Sequence, residues 1–168
     1  APIGEFMNHS MFPLDAMLYL VPSRPQTVYC IAGSYFFENA KANNLEDLGF
    51  ITMNLEQGII ATTSIGRTPV QHPNGTGGDM TIRVMGTHGM VYIDTNRPKW
   101  VSYGSSGVKA IKYGTDRYYD ITDHFVDSIL HEREPMCNAE DARATLEVTL
   151  AALQSAKENR VVKLPLAS

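Results

Sequence analysis

The middle of the chain consists of short β-rich runs separated by turn residues, and this pattern limits the fold more than any other feature. In LGFITMNLEQGIIATTSIGR, at 48–67, the residues Glu-Gln-Gly stand between two strand-like segments, as in a hairpin. Two more such pairs follow, at 80–96 and 99–114, each with a glycine-containing bend. Because hairpins join neighbouring antiparallel strands, we expect one antiparallel sheet through this region.

Segments whose apolar residues have helical spacing lie before and after these strands. Ser10 can cap a first helix, which Pro22 ends. Thr122 can cap a second helix and Asn138 a third, and a final VVKLPL predicts a short edge strand. The face predicted to point inward on the third helix consists of Ala142, Leu146, Thr149, Leu150, Leu153 and Ala156.

This order of elements predicts an α+β fold in which an open, mainly antiparallel sheet carries helices on one face, as a two-layer sandwich. The 168 residues fit a single domain, 1–168. A net charge of −4 without a Lys/Arg cluster predicts no nucleic-acid partner, and no apolar run is long enough for a membrane span. Cys30 and Cys137 are expected to be free thiols in a reducing cytoplasm.

The sequence pattern alone indicates a catalytic or binding role for few side chains. His9, at the start of the first helix, can act as an acid or base or simply face solvent. Asp15 on the same helix is either paired with an arginine, Arg67 or Arg83, or faces a cleft. Arg67 and His72 belong to the predicted loop 66–79, where an arginine can fork onto a ligand hydroxyl or carboxylate.

Metal and nucleotide sites are not indicated. The five histidines are scattered, and no two have the i, i+4 spacing that presents a pair to one ion. The glycines of NGTGGD fall between two strands, whereas a dinucleotide loop joins a parallel strand to a helix. We therefore expect neither a bound metal nor a bound cofactor on this chain alone.

The end of the chain resembles a known family. HFVDSILHEREPMCNAEDARATLEVTLAALQSAKENRVVKLPL, at 124–166, is similar to the closing segment of the Gfo/Idh/MocA family of NAD(P)-dependent sugar and polyol oxidoreductases. It shares the Asp-Ala-Arg start of a long Ala-rich helix and the Val-x-Leu-Pro ending. GTHGMVYID and LGFITMNLEQGIIATTSIGR are similar to strand pairs of the same family, so the resemblance covers nearly the whole chain.

The resemblance implies that the chain is the C-terminal half of such an enzyme. Its fold would be the ferredoxin-like-derived C-terminal domain seen in dihydrodipicolinate and glyceraldehyde-3-phosphate dehydrogenase-like enzymes. An N-terminal Rossmann domain, absent from this chain, would bind NAD or NADP. The half present here would contact a sugar or polyol and form a homo-oligomer through its open sheet face, so hydride transfer by this chain alone is not expected.

The family's first helix often carries an Asp-x-x-x-His-x-x-Asp series, from which this chain departs. With Asp15 as the last member, Asn8 stands at the first Asp and Phe12 at the acid/base histidine. Phenylalanine cannot transfer a proton, so that role is lost, unnecessary, or taken over by His9. His9 is therefore the candidate catalytic residue, and the candidate substrate contacts are Asn8, Phe12, Asp15, Arg67 and His72.

Two other functions stay open at this point. The chain can be a non-enzymatic sugar-binding or assembly module that keeps the fold without catalysis, as Asn8 and Phe12 suggest. It can also be a scaffold homodimer that uses the exposed sheet face.

Overall fold

The computed structural model describes residues 2–69, 80–95, 99–104, 107–112 and 117–166. The chain divides into two compact units, one formed by Ala1–Gln71 with Ala139–Ser168 and the other by His72–Asn138. Each unit contains one four-stranded antiparallel sheet. That residues 1–168 behave as a single domain stays a prediction.

The first unit is built on a sheet with the strand order β3-β2-β1-β8. Its strands are β1 Pro25–Gly33, β2 Leu48–Leu55, β3 Ile60–Gly66 and β8 Val162–Lys163. A tight turn at Glu56–Gly58 joins β2 to β3, and Gln57 there adopts the left-handed conformation with φ +61°. The predicted hairpin at Glu-Gln-Gly and the predicted edge strand at the end of the chain are both confirmed.

Helices cover one face of this sheet. They are α1 Glu5–His9, α2 Met11–Leu20 and α5 Ala139–Glu158. The short α3 Glu38–Ala42 precedes β2 and has no buried residue. Alternate residues of β2 are buried while their neighbours, such as Phe50, are exposed, as expected for a sheet covered on one side. The resulting core contains Phe6, Leu14, Val28, Cys30, Ile51, Met53, Leu55, Ile65, Val148, Ala151, Ala152 and Val162. The predicted α+β class, with antiparallel strands and a helical layer, is confirmed.

Helix α5 buries a face that only partly coincides with the predicted one. Thr149 is buried and Leu153 and Ala156 pack against the core, as predicted. Ala142 is exposed, however, and Leu146 and Leu150, also expected to point inward, are 44% and 43% exposed. The buried side chains of α5 are Thr145, Val148, Thr149, Ala151, Ala152 and Ser155.

Two of the three buried hydroxyl groups on this helix have partners. Ser155 accepts the N–H of Cys30 at 2.9 Å and donates to the carbonyl of Arg160 at 2.6 Å, and Thr149 donates to the carbonyl of Thr145. The Thr145 hydroxyl itself has no hydrogen-bond partner among the described residues.

The second unit contains the remaining strands in sequential order. They are β4 Thr81–Gly86, β5 Gly89–Asp94, β6 Lys99–Gly104 and β7 Gly107–Lys112, and helix α4 Arg117–Leu130 follows them. The two predicted hairpins are confirmed here, but the expectation of one continuous sheet is wrong, because β3 and β4 are edge strands of separate sheets. The stretch between them is too long for a hairpin turn, so nothing local pairs them.

Neither of the first two predicted caps forms. Helix α2 begins directly after Ser10, as predicted, but the Ser10 side chain does not cap it, because Ser10 has helical backbone angles and joins α2 to α1, which begins at Glu5. Thr122 lies inside α4, where its hydroxyl donates to the carbonyl of Tyr118. Helix α5, by contrast, begins directly after Asn138. Within the described ranges, every helix is too short or too polar to cross a lipid bilayer.

Candidate functional site

Helix α1 is anchored on the loop that precedes β2. The N–H of Glu5 donates to the carbonyl of Glu46 at 3.0 Å, and the N–H of Phe6 donates to the Glu46 carboxylate at 2.9 Å. Gly4 lies buried against this carboxylate, and a Cβ at that position would overlap with it. A larger residue at position 4 would therefore require the Glu46 carboxylate to move from the position in which it accepts the N–H of Phe6.

Asp47 fixes the backbone next to this anchor. Its carboxylate accepts the N–H groups of Tyr35, Phe36 and Phe37 at 2.8–2.9 Å. Burial alone would raise the pKa of Asp47, but the N–H donors outweigh it and hold this pKa below its usual value. The Asp47 carbonyl accepts the N–H of Arg67 at 2.9 Å, so Arg67 is held at the end of β3.

Glu5 brings two of the predicted site residues together. Its Oε1 lies 2.6 Å from Nδ1 of His9, one helical turn away, and its Oε2 lies 3.4 Å from Nε of Arg67. The Glu5 side chain is only 12% exposed, whereas His9 and Arg67 are 42% and 54% exposed. The mostly buried carboxylate thus contacts an imidazole and a guanidinium that both reach solvent.

Phe12 is the third predicted residue at this cluster. Its ring lies 6.2 Å from the ring of His9, with the two planes tilted by 45°, and the side chain is 56% exposed. Asn8 is exposed on the preceding turn of α1, and Asp15 lies half-buried further along α2. The predicted contact at His72 lies outside the described residues. We call Glu5, His9, Phe12 and Arg67 the helix-junction cluster.

The helix-junction cluster has the chemistry of a site for a hydroxylated ligand. An exposed imidazole can exchange a proton, a guanidinium donates hydrogen bonds to oxygen, and an exposed ring offers an apolar surface to a sugar face. The sequence reasoning found three of its members and missed Glu5. The signal was present, since Glu5 and His9 stand at i, i+4, the spacing of a helical ion pair.

Neither a metal site nor a Rossmann-type nicotinamide site fits the described residues. No group of three or more His, Cys, Asp or Glu side chains among them could hold a metal ion. A dinucleotide site requires the turn from a parallel strand into a helix, but every strand pairing in the described residues is antiparallel. A Rossmann-type turn from a parallel strand into a helix is therefore not found in the described residues.

Comparison with known proteins identifies the fold. Residues 3–164 match the model of the Gfo/Idh/MocA oxidoreductase family, C-terminal alpha/beta domain. No curated protein matches the chain. Several solved structures do.

Three of these structures indicate the range of similar proteins. Aldose-aldose oxidoreductase from Caulobacter crescentus, in complex with glycerol, is 21% identical with a TM-score of 0.77, and the match covers 96% of this chain and 48% of that one. UDP-N-acetylglucosamine 3-dehydrogenase from Acidithiobacillus ferrooxidans is 18% identical with a TM-score of 0.78, covering 93% and 48%. An oxidoreductase from Agrobacterium radiobacter, in complex with NAD+, L-tartaric acid and magnesium, is 15% identical with a TM-score of 0.74, covering 92% and 47%. The chain spans about half the length of these proteins.

Proposed function

This chain belongs to the Gfo/Idh/MocA oxidoreductase family, as the resemblance predicted, and we propose that it is the substrate-binding and oligomerisation half of an NAD(P)-dependent oxidoreductase. Its substrate is a sugar, a polyol or a related hydroxyl compound. In this proposal, a Rossmann domain outside residues 1–168 binds NAD or NADP, and the support is that the chain spans only about half the length of the family structures it matches.

The main support for the proposal is the presence of the helix-junction cluster in a chain of this family. The cluster presents a proton-exchanging group, His9, and a hydrogen-bond donor, Arg67, next to one mostly buried carboxylate. A dehydrogenase that oxidises a hydroxyl needs a base for the hydroxyl proton, and His9 is the more exposed base of the cluster, at 42% against 12% for Glu5. Phe12, Asn8 and Asp15 complete the proposed substrate side, and His72 stays a candidate by sequence.

The test uses the full-length protein with its nucleotide-binding half. We expect binding of NAD+ or NADP+, measured by calorimetry, and reduction of that cofactor, followed at 340 nm, with at least one member of a sugar and polyol panel. Absence of both cofactor binding and turnover across the panel would show that the proposal is wrong.

A non-enzymatic sugar-binding module is the second candidate, and Phe12 is the observation that favours it. Phe12 is exposed at the place where the family's acid/base histidine is expected, and it cannot transfer a proton. If this candidate is right, the full-length protein binds sugars without reducing the cofactor. In that case, replacing His9 with alanine changes only sugar affinity.

We also propose that the protein assembles through the open face of the first sheet. Ile31 and Phe50 are neighbours on β1 and β2, and both are more than half exposed on the face opposite the helices, as is Ile60 on β3. Light scattering at several concentrations should detect a dimer or larger species. The Phe50→Asp substitution should shift the equilibrium between monomer and oligomer towards the monomer. Leu150→Asp, at an exposed apolar position on α5, is the matched control. A strictly monomeric wild type would contradict this part of the proposal.

A further inference from the structure

We propose that Glu5 is a positioning residue that sets the orientation of both His9 and Arg67. One carboxylate contacts both side chains, Oε1 facing the imidazole and Oε2 facing the guanidinium. Each side chain therefore has a contact with the same mostly buried carboxylate. The kinetic part of this inference rests on the proposed function, whereas its structural part does not.

The geometry assigns a proton to one nitrogen of His9. Nδ1 is buried and lies 2.6 Å from a carboxylate oxygen, although the contact is not aligned as a hydrogen bond. A lone pair on Nδ1 would be repelled by that oxygen at such a distance, so Nδ1 carries the proton. Since 42% of the side chain is exposed while Nδ1 is buried, the outer edge of the ring, with Nε2, faces solvent and can accept a proton.

A second cluster of the same three kinds of side chain shows why Glu5 differs from an ordinary surface ion pair. Asp127 lies 2.8 Å from Nδ1 of His131 and 3.4 Å from Nη2 of Arg133, nearly the same distances as in the Glu5 cluster. The side chain of Asp127 is 43% exposed, against 12% for Glu5. Solvent screens an exposed pair to little net energy, so the less exposed Glu5 constrains its partners more strongly.

The structural part can be tested on the chain itself, without any activity. We would label the histidines with 15N and read the tautomer of each ring by NMR at about pH 8, where free histidine is mostly neutral. His9 should carry its proton on Nδ1 in the wild type and shift towards Nε2–H in Glu5→Ala. Glu5→Leu keeps most of the side-chain volume and gives the same readout if the alanine variant does not fold.

Asp127→Ala is the matched control for this spectrum. It removes the carboxylate beside His131 but keeps the Asp127 carbonyl, which lies 3.0 Å from Nδ1 of His131, and it should leave the His9 signals unchanged. His9→Ala and His131→Ala assign the two rings. A His9 tautomer that is the same in the wild type and in both Glu5 variants would overturn the proposal.

The kinetic part uses the full-length protein and separates kcat from KM. Glu5→Leu should lower kcat about tenfold or more, because His9 loses its orientation. The same variant should raise KM, because Arg67 also loses its orientation. Glu5→Gln keeps an acceptor for the Nδ1–H but loses the charge that holds Arg67, so it should raise KM with kcat largely retained. Values of kcat and KM within twofold of the wild type in Glu5→Leu would overturn the positioning role. A wild type without turnover would refute the proposed function, and the NMR spectra would still decide the role of Glu5.

Discussion

Ser10 and Thr149 share a hydrogen bond of 2.7 Å between their hydroxyl oxygens in the core of the first unit. The hydroxyl of Thr149 donates to the carbonyl of Thr145 at 3.1 Å, so Ser10 must be the donor to Thr149. Ser10 directly follows His9 and joins α1 to α2. This bond therefore ties the helix-junction cluster to α5, the longest helix of the core.

The first prediction concerns the energy of that bond. Thr149→Val leaves the buried Ser10 hydroxyl without its acceptor and should cost about 1–3 kcal/mol of unfolding free energy. Ser10→Ala should cost about 1 kcal/mol, because the Thr149 hydroxyl keeps its own acceptor. The double variant should cost less than the sum, since replacing both partners leaves no unpaired buried group. Urea unfolding of the wild type, the two single variants and the double variant measures these free energies. Strictly additive losses of unfolding free energy would contradict the assignment of Ser10 as the donor to Thr149.

The second prediction concerns the buried thiol of Cys30. Burial, with a smaller contribution from the charge of Glu46, raises the pKa of Cys30 from 9.0 to about 12. The unfolded chain therefore releases this proton at lower pH than the folded chain. The contribution of Cys30 to stability is complete below about pH 9 and should be lost as the pH rises to about 12.

The Cys30→Ala variant should not show the part of the loss in unfolding free energy at alkaline pH that comes from Cys30. The difference between the two proteins therefore separates the effect of Cys30 from the titration of lysines and tyrosines. Chemical denaturation at pH 8 to 11 measures the difference. The exposed Cys137 supplies an internal comparison, because it should react with a thiol reagent in the folded protein while Cys30 reacts only after unfolding. Identical pH profiles for the wild type and Cys30→Ala would contradict the prediction.

The third prediction concerns Asp47, whose pKa is held below its ordinary value of 3.8. A lowered pKa in the folded state means that its stabilisation is present above about pH 4 and is lost as the pH falls through the folded pKa. Asp47→Asn should lose about 2 kcal/mol or more at pH 7, because three N–H groups lose a charged acceptor. The difference in unfolding free energy between the wild type and Asp47→Asn should become smaller below about pH 4, as the wild-type carboxyl gains its proton.

Asp123→Asn, an exposed position on α4, is the matched control and should change stability at pH 7 by less than about 0.5 kcal/mol. Denaturation of the three proteins between pH 2 and 7 provides the measurement. A constant difference between the wild type and Asp47→Asn over that range would rule out the proposed role of the charge.

Local features of the fold could be predicted from the sequence because local chemistry determines them. The turn at Glu56–Gly58 lies between two strand-like runs, so the pairing of β2 with β3 is specified within twenty residues. The division into two sheets depends instead on which distant strands pair, and no turn residue encodes that choice. Thr122 failed as a cap because a threonine hydroxyl can equally bond back to a carbonyl inside a helix, as it does to Tyr118.

The face of α5 illustrates a second limit. Hydrophobic periodicity favoured Leu146 and Leu150 as inward residues, yet the core selects alanines and hydroxyl side chains, two of which have hydrogen-bond partners. The hydroxyl of Ser155 is useful there because it satisfies the N–H of Cys30, a contact across 125 positions of sequence. Pattern reasoning cannot anticipate such a partner.

The helix-junction cluster was predictable in part. His9 and Phe12 follow from their place on the first helices, and their rings do lie close together. The contact of Arg67 with Glu5 required the end of β3 to meet α1, a tertiary fact that spacing does not contain.

The most direct test of the proposed function is the turnover of the full-length protein with and without the imidazole of His9. With the substrate found in the panel, His9→Ala should lower kcat by about 10²-fold or more. His131→Ala, which removes a histidine that also contacts a carboxylate, should leave kcat within about twofold. Equal kcat values for the wild type and His9→Ala would contradict the claim that His9 performs the proton transfer that Phe12 cannot.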